Sequence, residues 1–269
     1  MIVEQIFCHN HLRNFNYIIA CEETKQAVVI DPLRVDLILE LAKAKQYQVT
    51  AIINTHEHHD HTEGNLELVK YTQAVVYCHH LALDRIPGAC KGLKKGDVLN
   101  IGKTINLEVL DTPGHTMAHV CLLASDSSKP EDNNQLAIFS GDTLFNAGVG
   151  RCFSGSVDEL YTTFTEIIAK LPNHTIVYPG HDYLQNNINF TLSVEPDNDF
   201  AQKLMGEFLA MNDNDKNFIV TDMGIEKKIN AFLRLDQQSI IKNIQVNKDK
   251  NKLTEKDVFV ALRALRDGW

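Results

Sequence analysis

The 269-residue chain has little of what marks several protein classes. Its six cysteines, at positions 8, 21, 78, 90, 121 and 152, include no CxxC and no close pair. Neither a cysteine zinc knuckle nor a disulfide framework is expected, and the thiols read as reduced and mostly buried. No run of about 18 uninterrupted apolar residues occurs, so no membrane partner is expected. The opening MIVEQIFCHNHLRNF lacks a basic segment followed by a long apolar stretch, and a cytoplasmic location is the expectation. Basic residues are in deficit: 26 Lys and Arg against 35 Asp and Glu leave a formal charge of −9. A general nucleic-acid binder carries the opposite balance, because its cations must displace phosphate counterions. The short runs KGLKK (91–95) and KDKNK (248–252) read as solvated turns. No low-complexity tract or exact repeat is present.

What remains is an ordinary globular composition, 44% hydrophobic and 23% charged, enough for one large domain or two smaller ones. NYIIAC (16–21) and QAVVID (26–31) flank a polar EETK and read as a hairpin, with Asp31-Pro32 stopping the second strand. RVDLILELAKAKQY carries apolar residues at 35, 38, 39, 41 and 42, one face of a helix. VTAIIN is apolar enough for a strand covered on both faces. TINLEVLDTPGH, AHVCLLAS, QLAIFSGDTLF and HTIVYPGHDY read as further β-rich runs, with SDSSKPEDNNQ (125–135) as a surface loop. SVDELYTTFTEIIAKL reads as a helix in which Ser156 and Glu159 have capping-box spacing. Strands that alternate both with helices and with hairpins predict a layered α/β domain. After about residue 182 the β-rich runs stop. DFAQKLMGEFLAM, QQSIIKNIQV and, behind Thr254, EKDVFVALRALRDGW predict a mainly helical second domain. The expected boundaries are 1–181 and 182–269. The second part holds 12 Lys and Arg against 14 Asp and Glu, so it is the less acidic of the two.

The densest signal is THEHHDHTEG (55–64), with four histidines and an aspartate in seven positions. A buried polar group without a partner costs about 1 to 3 kcal/mol, and a metal ion satisfies several imidazoles at once. The subset His56, His58, Asp60 and His61 spells HxHxDH behind an apolar strand, a pattern expected by chance in only about one such chain in several hundred. Residues two apart in extended chain point the same way, so His56 and His58 are placed to grip one ion. Asp60 and His61, where the chain turns toward a helix, face a second ion. Two sites need further ligands, and His115 in TPGHT, Asp142 in FSGDT and His181 in YPGHDY are the candidates, each at a glycine turn after an apolar run. Imidazole and carboxylate without thiolate, too few to saturate two ions, is the donor set of a catalytic pair that keeps water bound. His9, His11, His79, His80 and His174 show no partner pattern and read as surface or satisfied core positions. His59 lies off the ligand register, and His119 reads as a group that hydrogen-bonds behind the ligands.

THEHHDHTEGN, TPGHTMAH, FSGDTLFNAGVGR and YPGHDYLQNNINF, in that order and followed by a helical tail ending VALRALRDGW, resemble the blocks of the metallo-β-lactamase superfamily. Within it they are similar to the type II glyoxalases, the hydroxyacylglutathione hydrolases. The resemblance implies an αββα sandwich followed by the smaller helical domain. It also implies a pair of divalent ions per chain, zinc with iron or manganese as alternatives. By the same resemblance His56, His58 and His115 hold one ion, Asp60, His61 and His181 hold the other, and Asp142 bridges them. Glutathione contacts are implied at Arg151, Phe153, Tyr183, Arg263 and Arg266, since guanidinium groups suit the carboxylates of the tripeptide. Phe153 stands where some relatives carry Tyr, so a hydroxyl contact is missing. Arg263 and Arg266 have a plainer alternative as the solvated side of the last helix.

The implied reaction is hydrolysis of S-D-lactoylglutathione and related S-2-hydroxyacylglutathiones to glutathione and a hydroxy acid, D-lactate in the first case. This is the second step of methylglyoxal detoxification, with Asp60, Asp142 and His58 as the central catalytic ligands and a monomer as the expected state. The alternatives are a persulfide dioxygenase with one iron, or a non-catalytic metal-binding module.

Overall fold

The computed structural model describes residues 1–129, 135–211, 218–244 and 253–269. KDKNK, the middle of the 125–135 loop and the end of QQSIIKNIQV lie outside the described residues. Period-two patterning builds the first sheet: β1 (Ile2–Phe7), β2 (Phe15–Ala20), β3 (Gln26–Ile30), β4 (Gln48–Ile53), β5 (Val75–His79) and β6 (Ala89–Leu93), side by side in that order. β1, β2 and β3 pair antiparallel and the rest pair parallel, so the expected hairpin is present and β4 lies between parallel neighbours. The second sheet holds β7 (Val98–Ile101), β8 (Ile105–Asp111), β9 (Val120–Asp126) and β10 (Ala137–Gly141) as an antiparallel run. A short hairpin, β11 (Leu144–Phe145) and β12 (Gly148–Val149), precedes β13 (Ile176–Pro179), which joins the second sheet parallel to β10.

Alternate residues of each strand serve opposite faces. Phe15, Tyr17, Ile19, Val28, Ile30 and Ile53 of the first sheet meet Leu107, Val109, Val120, Leu122 and Phe139 of the second in one central core. Ile18, Val29, Val49 and Ile52 point outward against α1 (Val35–Lys45) and α3 (Asn65–Thr72), with α2 (His59–Thr62) as a single turn between them. Outside the second sheet lies α4 (Val157–Glu166), whose cap Ser156 accepts from the Glu159 N–H. Four layers, αββα, result as expected.

Two local expectations need correction. α4 stops at Glu166 and a 3-10 turn, Ile168–Lys170, continues it, so the 16-residue helix is shorter than its apolar spacing suggests. KGLKK is not only a turn, because Lys91, Gly92 and Leu93 belong to β6 and pair with β5.

The tail supplies α5 (Leu184–Val194), α6 (Asp199–Ala210), β14 (Thr221–Asp222), α7 (Met223–Ile229), α8 (Gln238–Asn243) and α9 (Glu255–Asp267). α9 opens on a full capping box between Thr254 and Asp257. The tail is not purely helical: β14 pairs antiparallel with β13 and extends the second sheet. Its Phe190, Phe232, Phe259 and Leu262 share one core with Leu160, Phe164, Cys121 and Ile138 of the first part. A buried polar knot adds to this. Glu226 of α7 accepts from Ala147 N (2.9 Å), Thr221 Oγ1 (2.6 Å) and Asn230 Nδ2 (3.1 Å), fixing the turn of the β11–β12 hairpin.

Burial outweighs these donors and pushes the Glu226 carboxyl up to about 7. A carboxyl whose pKa is raised on folding binds more protons in the native state than in the unfolded one between about pH 4.5 and 7. Its stabilising contribution is therefore present below that window and lost as pH rises through it. Thermal melts of Glu226→Gln against the parent should show the parent gaining relative stability from pH 8 down to pH 5, by on the order of 2 kcal/mol. A difference independent of pH would show that Glu226 stays ionised throughout.

Candidate metal centre

Four loops deliver the seven predicted ligands to one place. His56 and His58 lie beyond the end of β4, Asp60 and His61 lie in α2, His115 lies between β8 and β9, and Asp142 and His181 follow β10 and β13. His56, His58, His115 and Asp142 gather into one cluster and Asp60, His61 and His181 into a second, their candidate ligand atoms within 4.8 Å of one another in each. The expectation that an extended strand aligns His56 and His58 needs correcting, because β4 ends at Ile53 and both histidines sit in the following loop. Their convergence comes from the extended backbone of His58 (φ −65°, ψ 146°) at the cap of α2. His56 Nε2 and His115 Nε2 stand 2.9 and 3.0 Å from His58 Nδ1. Asp142 reaches both clusters: Oδ1 is 3.3 Å from His61 Nε2, and Oδ2 is 3.3 Å from His181 Nε2 and 3.6 Å from His115 Nε2. Asp60 Oδ2 lies 3.5 Å from both His61 Nε2 and His181 Nε2.

The approach is this close because two of the loops carry glycine. Gly141 has φ +47°, and a Cβ there would stand 2.5 Å from Thr55 Oγ1 and 2.8 Å from His119 Nε2. At Gly180 a Cβ would come within 2.4 Å of Asp142 Oδ1. A side chain at Gly180 would push Asp142 out of place, and one at Gly141 would displace Thr55 and His119, which stand behind the ligands.

Groups behind the ligands fix their tautomers. His115 Nδ1 faces the carbonyl oxygen of Arg151 at 2.6 Å, and His181 Nδ1 faces that of Leu12 at 2.8 Å. A carbonyl only accepts, so both Nδ1 atoms carry a proton and both Nε2 atoms are turned toward the clusters. His61 Nδ1 donates to Asp31 Oδ2 at 2.9 Å. The Thr55 hydroxyl gives its hydrogen to Asp31 Oδ2 (2.7 Å), which leaves it to accept from His56 Nδ1 at 3.0 Å. Four imidazoles thus aim their Nε2 atoms inward. His61 Nε2 and His181 Nε2 face each other at 3.2 Å. Asp142 Oδ1 is buried and finds no hydrogen-bond partner among the described residues.

The charges agree. Burial pushes His56 and His58 below the usual imidazole range and His115 down to about 4. Burial also opposes the charge on His61, but Asp142 and Asp31 outweigh it and raise that group. Burial would raise the Asp142 carboxyl, yet His181 and His61 hold it well below its ordinary value. Imidazole nitrogens and buried carboxylate oxygens converging within 4.8 Å, one of those oxygens without a hydrogen-bond partner, form the donor set that a divalent cation takes, so the residues present fit metal ions. With nitrogen and oxygen donors only, zinc, iron and manganese are all acceptable.

The remaining histidines fall as the sequence suggests. The side chain of His59 is 82% exposed, and His9, His11 and His174 lie on the surface. His79 and His80 find partners in Asp111 and the Leu93 carbonyl. His119 is buried behind the ligands, where its Nε2 accepts from the Asp142 N–H at 3.2 Å. Asp31 is the residue that sequence reasoning missed. It takes three hydrogen bonds that orient the motif, from Thr55 N, Thr55 Oγ1 and His61 Nδ1. Its only signal was an acidic side chain directly after a buried strand, the same position the ligands occupy.

Of the five candidate glutathione contacts, Phe153 turns its ring on the edges of His58 and His115 at 5.0 and 5.2 Å and is 62% exposed. The Arg151 guanidinium lies 5.7 Å over that ring. Tyr183 stacks on His181 at 5.0 Å. Arg266 is half-buried and donates to Asn187 Oδ1 at 3.2 Å. Arg263 departs from both expectations for it: it is buried, neither on a solvated face nor free to clamp a carboxylate. Its Nη1 donates to the carbonyls of Val149 (3.2 Å) and Gly150 (3.1 Å), and its Nη2 to Asp267 (2.9 Å).

Comparison with known proteins bears on the same residues. The profile of the metallo-β-lactamase superfamily matches residues 13–181, and that of the hydroxyacylglutathione hydrolase C-terminus matches residues 182–269. A hydroxyacylglutathione hydrolase of Polaromonas sp. is 47% identical, and one of Nitrosococcus oceani is 44% identical, each match covering 100% of both chains. Among solved structures, ETHE1 from Myxococcus xanthus superimposes with a TM-score of 0.66 at 26% identity, over 97% of this chain and 90% of that one.

Proposed function

The chain belongs to the hydroxyacylglutathione hydrolases of the metallo-β-lactamase superfamily, and on that premise we propose that it uses two divalent ions to hydrolyse S-D-lactoylglutathione. The products are glutathione and D-lactate, the second step of methylglyoxal detoxification. His56, His58 and His115 would hold one ion and Asp60, His61 and His181 the other, with Asp142 shared between them. The observation that carries the reading is Asp142, whose Oδ2 lies between the clusters, 3.6 Å from His115 Nε2 and 3.3 Å from His181 Nε2, while its Oδ1 lies 3.3 Å from His61 Nε2. Zinc is the proposed occupant, with iron or manganese as alternatives, and a monomer in the cytoplasm is the proposed state. No described helix is long and apolar enough to cross a membrane.

When bound, a pair of such ions lowers the pKa of water toward neutrality and offsets negative charge developing on a thioester carbonyl. The chain does the rest. Hydrolysis puts the water oxygen on the acyl carbon and breaks the C–S bond, with glutathione leaving as thiolate. Asp60 Oδ2 and Asp142 Oδ2 are the carboxylate oxygens placed to hold the water proton. Phe153 walls the mouth beside His58 and His115 and shields one side of the reacting ester from solvent. Arg151 and Arg266 offer charge to the glutathione carboxylates, and Tyr183 flanks His181. Arg263 acts one step back: by pinning the Val149 and Gly150 carbonyls it sets where Arg151 and Phe153 stand.

The two arginines should therefore separate in steady-state kinetics. Arg266→Ala is expected to raise KM several-fold with kcat kept, because it holds a part of the substrate that does not react. Arg263→Ala should lower Tm and reduce kcat as well as raising KM; identical effects of the two would refute the division of roles. Assay of the parent with S-D-lactoylglutathione tests the activity, one free thiol appearing per ester consumed. No thiol release from the ester, with oxygen consumed when glutathione persulfide is supplied instead, would favour the dioxygenase, a reading that the match of residues 182–269 to the hydrolase C-terminus disfavours.

A further inference from the structure

We infer that Asn14, backed by Asn10, is a positioning residue that sets how tightly the Asp60–His61–His181 cluster holds its cation, independently of the His56–His58–His115 cluster. The inference rests on the two-ion reading above. Asp60 is the loosest ligand of its cluster: its side chain is 23% exposed, against 1% for His61 and 3% for His181. An exposed carboxylate on a single-turn helix has rotamers to lose, and a ligand that must be immobilised on binding binds less tightly.

Asn14, 1% exposed, removes that freedom. Its Nδ2 donates to Asp60 Oδ2 at 2.8 Å and to the Asp60 carbonyl at 3.3 Å. Both partners only accept, so the amide orientation is settled by chemistry, with nitrogen toward Asp60 and oxygen away. The oxygen is taken by Asn10 Nδ2 at 2.7 Å, while Asn10 Oδ1 accepts the Asn14 N–H at 3.0 Å. Two amides thus lock each other, and the inner one holds the carboxylate oxygen that lies 3.5 Å from His61 Nε2 and His181 Nε2.

The same segment grips the other end of the cluster. Asn14 forms a β-bridge with His181, Leu12 offers its carbonyl to His181 Nδ1, and Phe15 N donates to the Gly180 carbonyl at 2.8 Å. Among the described residues, no hydrogen bond from residues 8–15 reaches His56, His58 or His115. The asparagine pair is therefore wired to one half of the centre only.

The test is zinc competition against a chromophoric chelator on the full-length chain, which reads the two affinities without reference to turnover. The parent should take two zinc ions. Asn14→Ala should weaken one of them about 10- to 100-fold, the range seen when a group orienting a metal ligand is lost, and leave the other within about threefold. Asn14→Asp, which sets a second carboxylate against Asp60, should weaken the same ion at least as much. Asn10→Ala, at a half-buried position whose loss is mild for folding, should weaken it by a few fold and keeps the test readable if Asn14 variants do not fold. Unchanged affinities in Asn14→Ala, or equal loss of both ions, would overturn the inference while leaving the two-ion reading intact. Uptake of a single ion by the parent would overturn that reading and the inference together.

Discussion

Asp142→Ala is expected to lower thioester hydrolysis by about 10³-fold or more and to strip metal from the protein at the same time. The size follows from what the cations contribute. Stabilising developing charge on the carbonyl is worth several kcal/mol, and each 1.36 kcal/mol is a factor of ten in rate. Asp142 is the one side chain shared by both clusters, so its loss removes a ligand from each, whereas loss of any histidine opens one. The loss reaches further than the missing ligand. His61 and His181 are held beside this carboxylate, and without it Asp60 Oδ2, 3.5 Å from each Nε2 and on a partly exposed side chain, is left to favour a cation there. Asp142→Asn keeps the shape and one acceptor oxygen, and it should fail almost as badly. His58→Ala should also lower activity and metal content together, since His58 Nδ1 is the meeting point of His56 and His115. Metal analysis and turnover on the same preparations decide the matter, and near-normal rates in Asp142→Ala would refute the bridging role.

Asp31→Asn should cost about 10- to 100-fold in metal affinity or activity although the residue touches no ion. Asp31 accepts three hydrogen bonds, from Thr55 N (2.8 Å), Thr55 Oγ1 (2.7 Å) and His61 Nδ1 (2.9 Å). An asparagine has one oxygen and a donor group, so at least one of these partners meets a donor instead. Whichever loses, a tautomer loses with it: His61 is free to put its proton on Nε2, or Thr55 no longer holds His56 with Nδ1 protonated. The substitution is clean with respect to the backbone. Asp31 has φ +51°, a left-handed conformation that Asn tolerates about as well as Asp, whereas Ala there would add strain. Stability should fall by about 1 to 3 kcal/mol, the cost of a buried polar group left unpaired. Full metal content and activity in Asp31→Asn, with the expected loss of stability, would mean that Asp31 serves the fold alone.

The convergence of the seven proposed ligands was legible because each is a polar side chain placed where an apolar strand gives way to a turn, and three of the turns carry glycine for a reason the structure makes concrete at Gly141 and Gly180. The αββα layering followed from strands whose alternate residues are all apolar, such as β2, which is buried on both faces. What stayed hidden depends on long-range neighbours. Nothing local marks Asp31 as more than the end of a strand, or Asn14 as the partner of Asp60 across 46 positions. β14 is two residues long, too short to show a period, and only its pairing with β13 reveals it. Arg263 reads from sequence as a glutathione contact or, alternatively, a solvated helix charge, because spacing does not say that Val149 and Gly150 lie against it. The helical tail reads as separate from its composition, yet its aromatic residues complete a core begun by α4 and the second sheet.

The most direct test of the account is a chelator titration in which released metal and S-D-lactoylglutathione hydrolysis are read on the same sample. Activity should fall with the metal, start from two ions per chain, and return when zinc is restored. Hydrolysis that survives removal of every ion would contradict it.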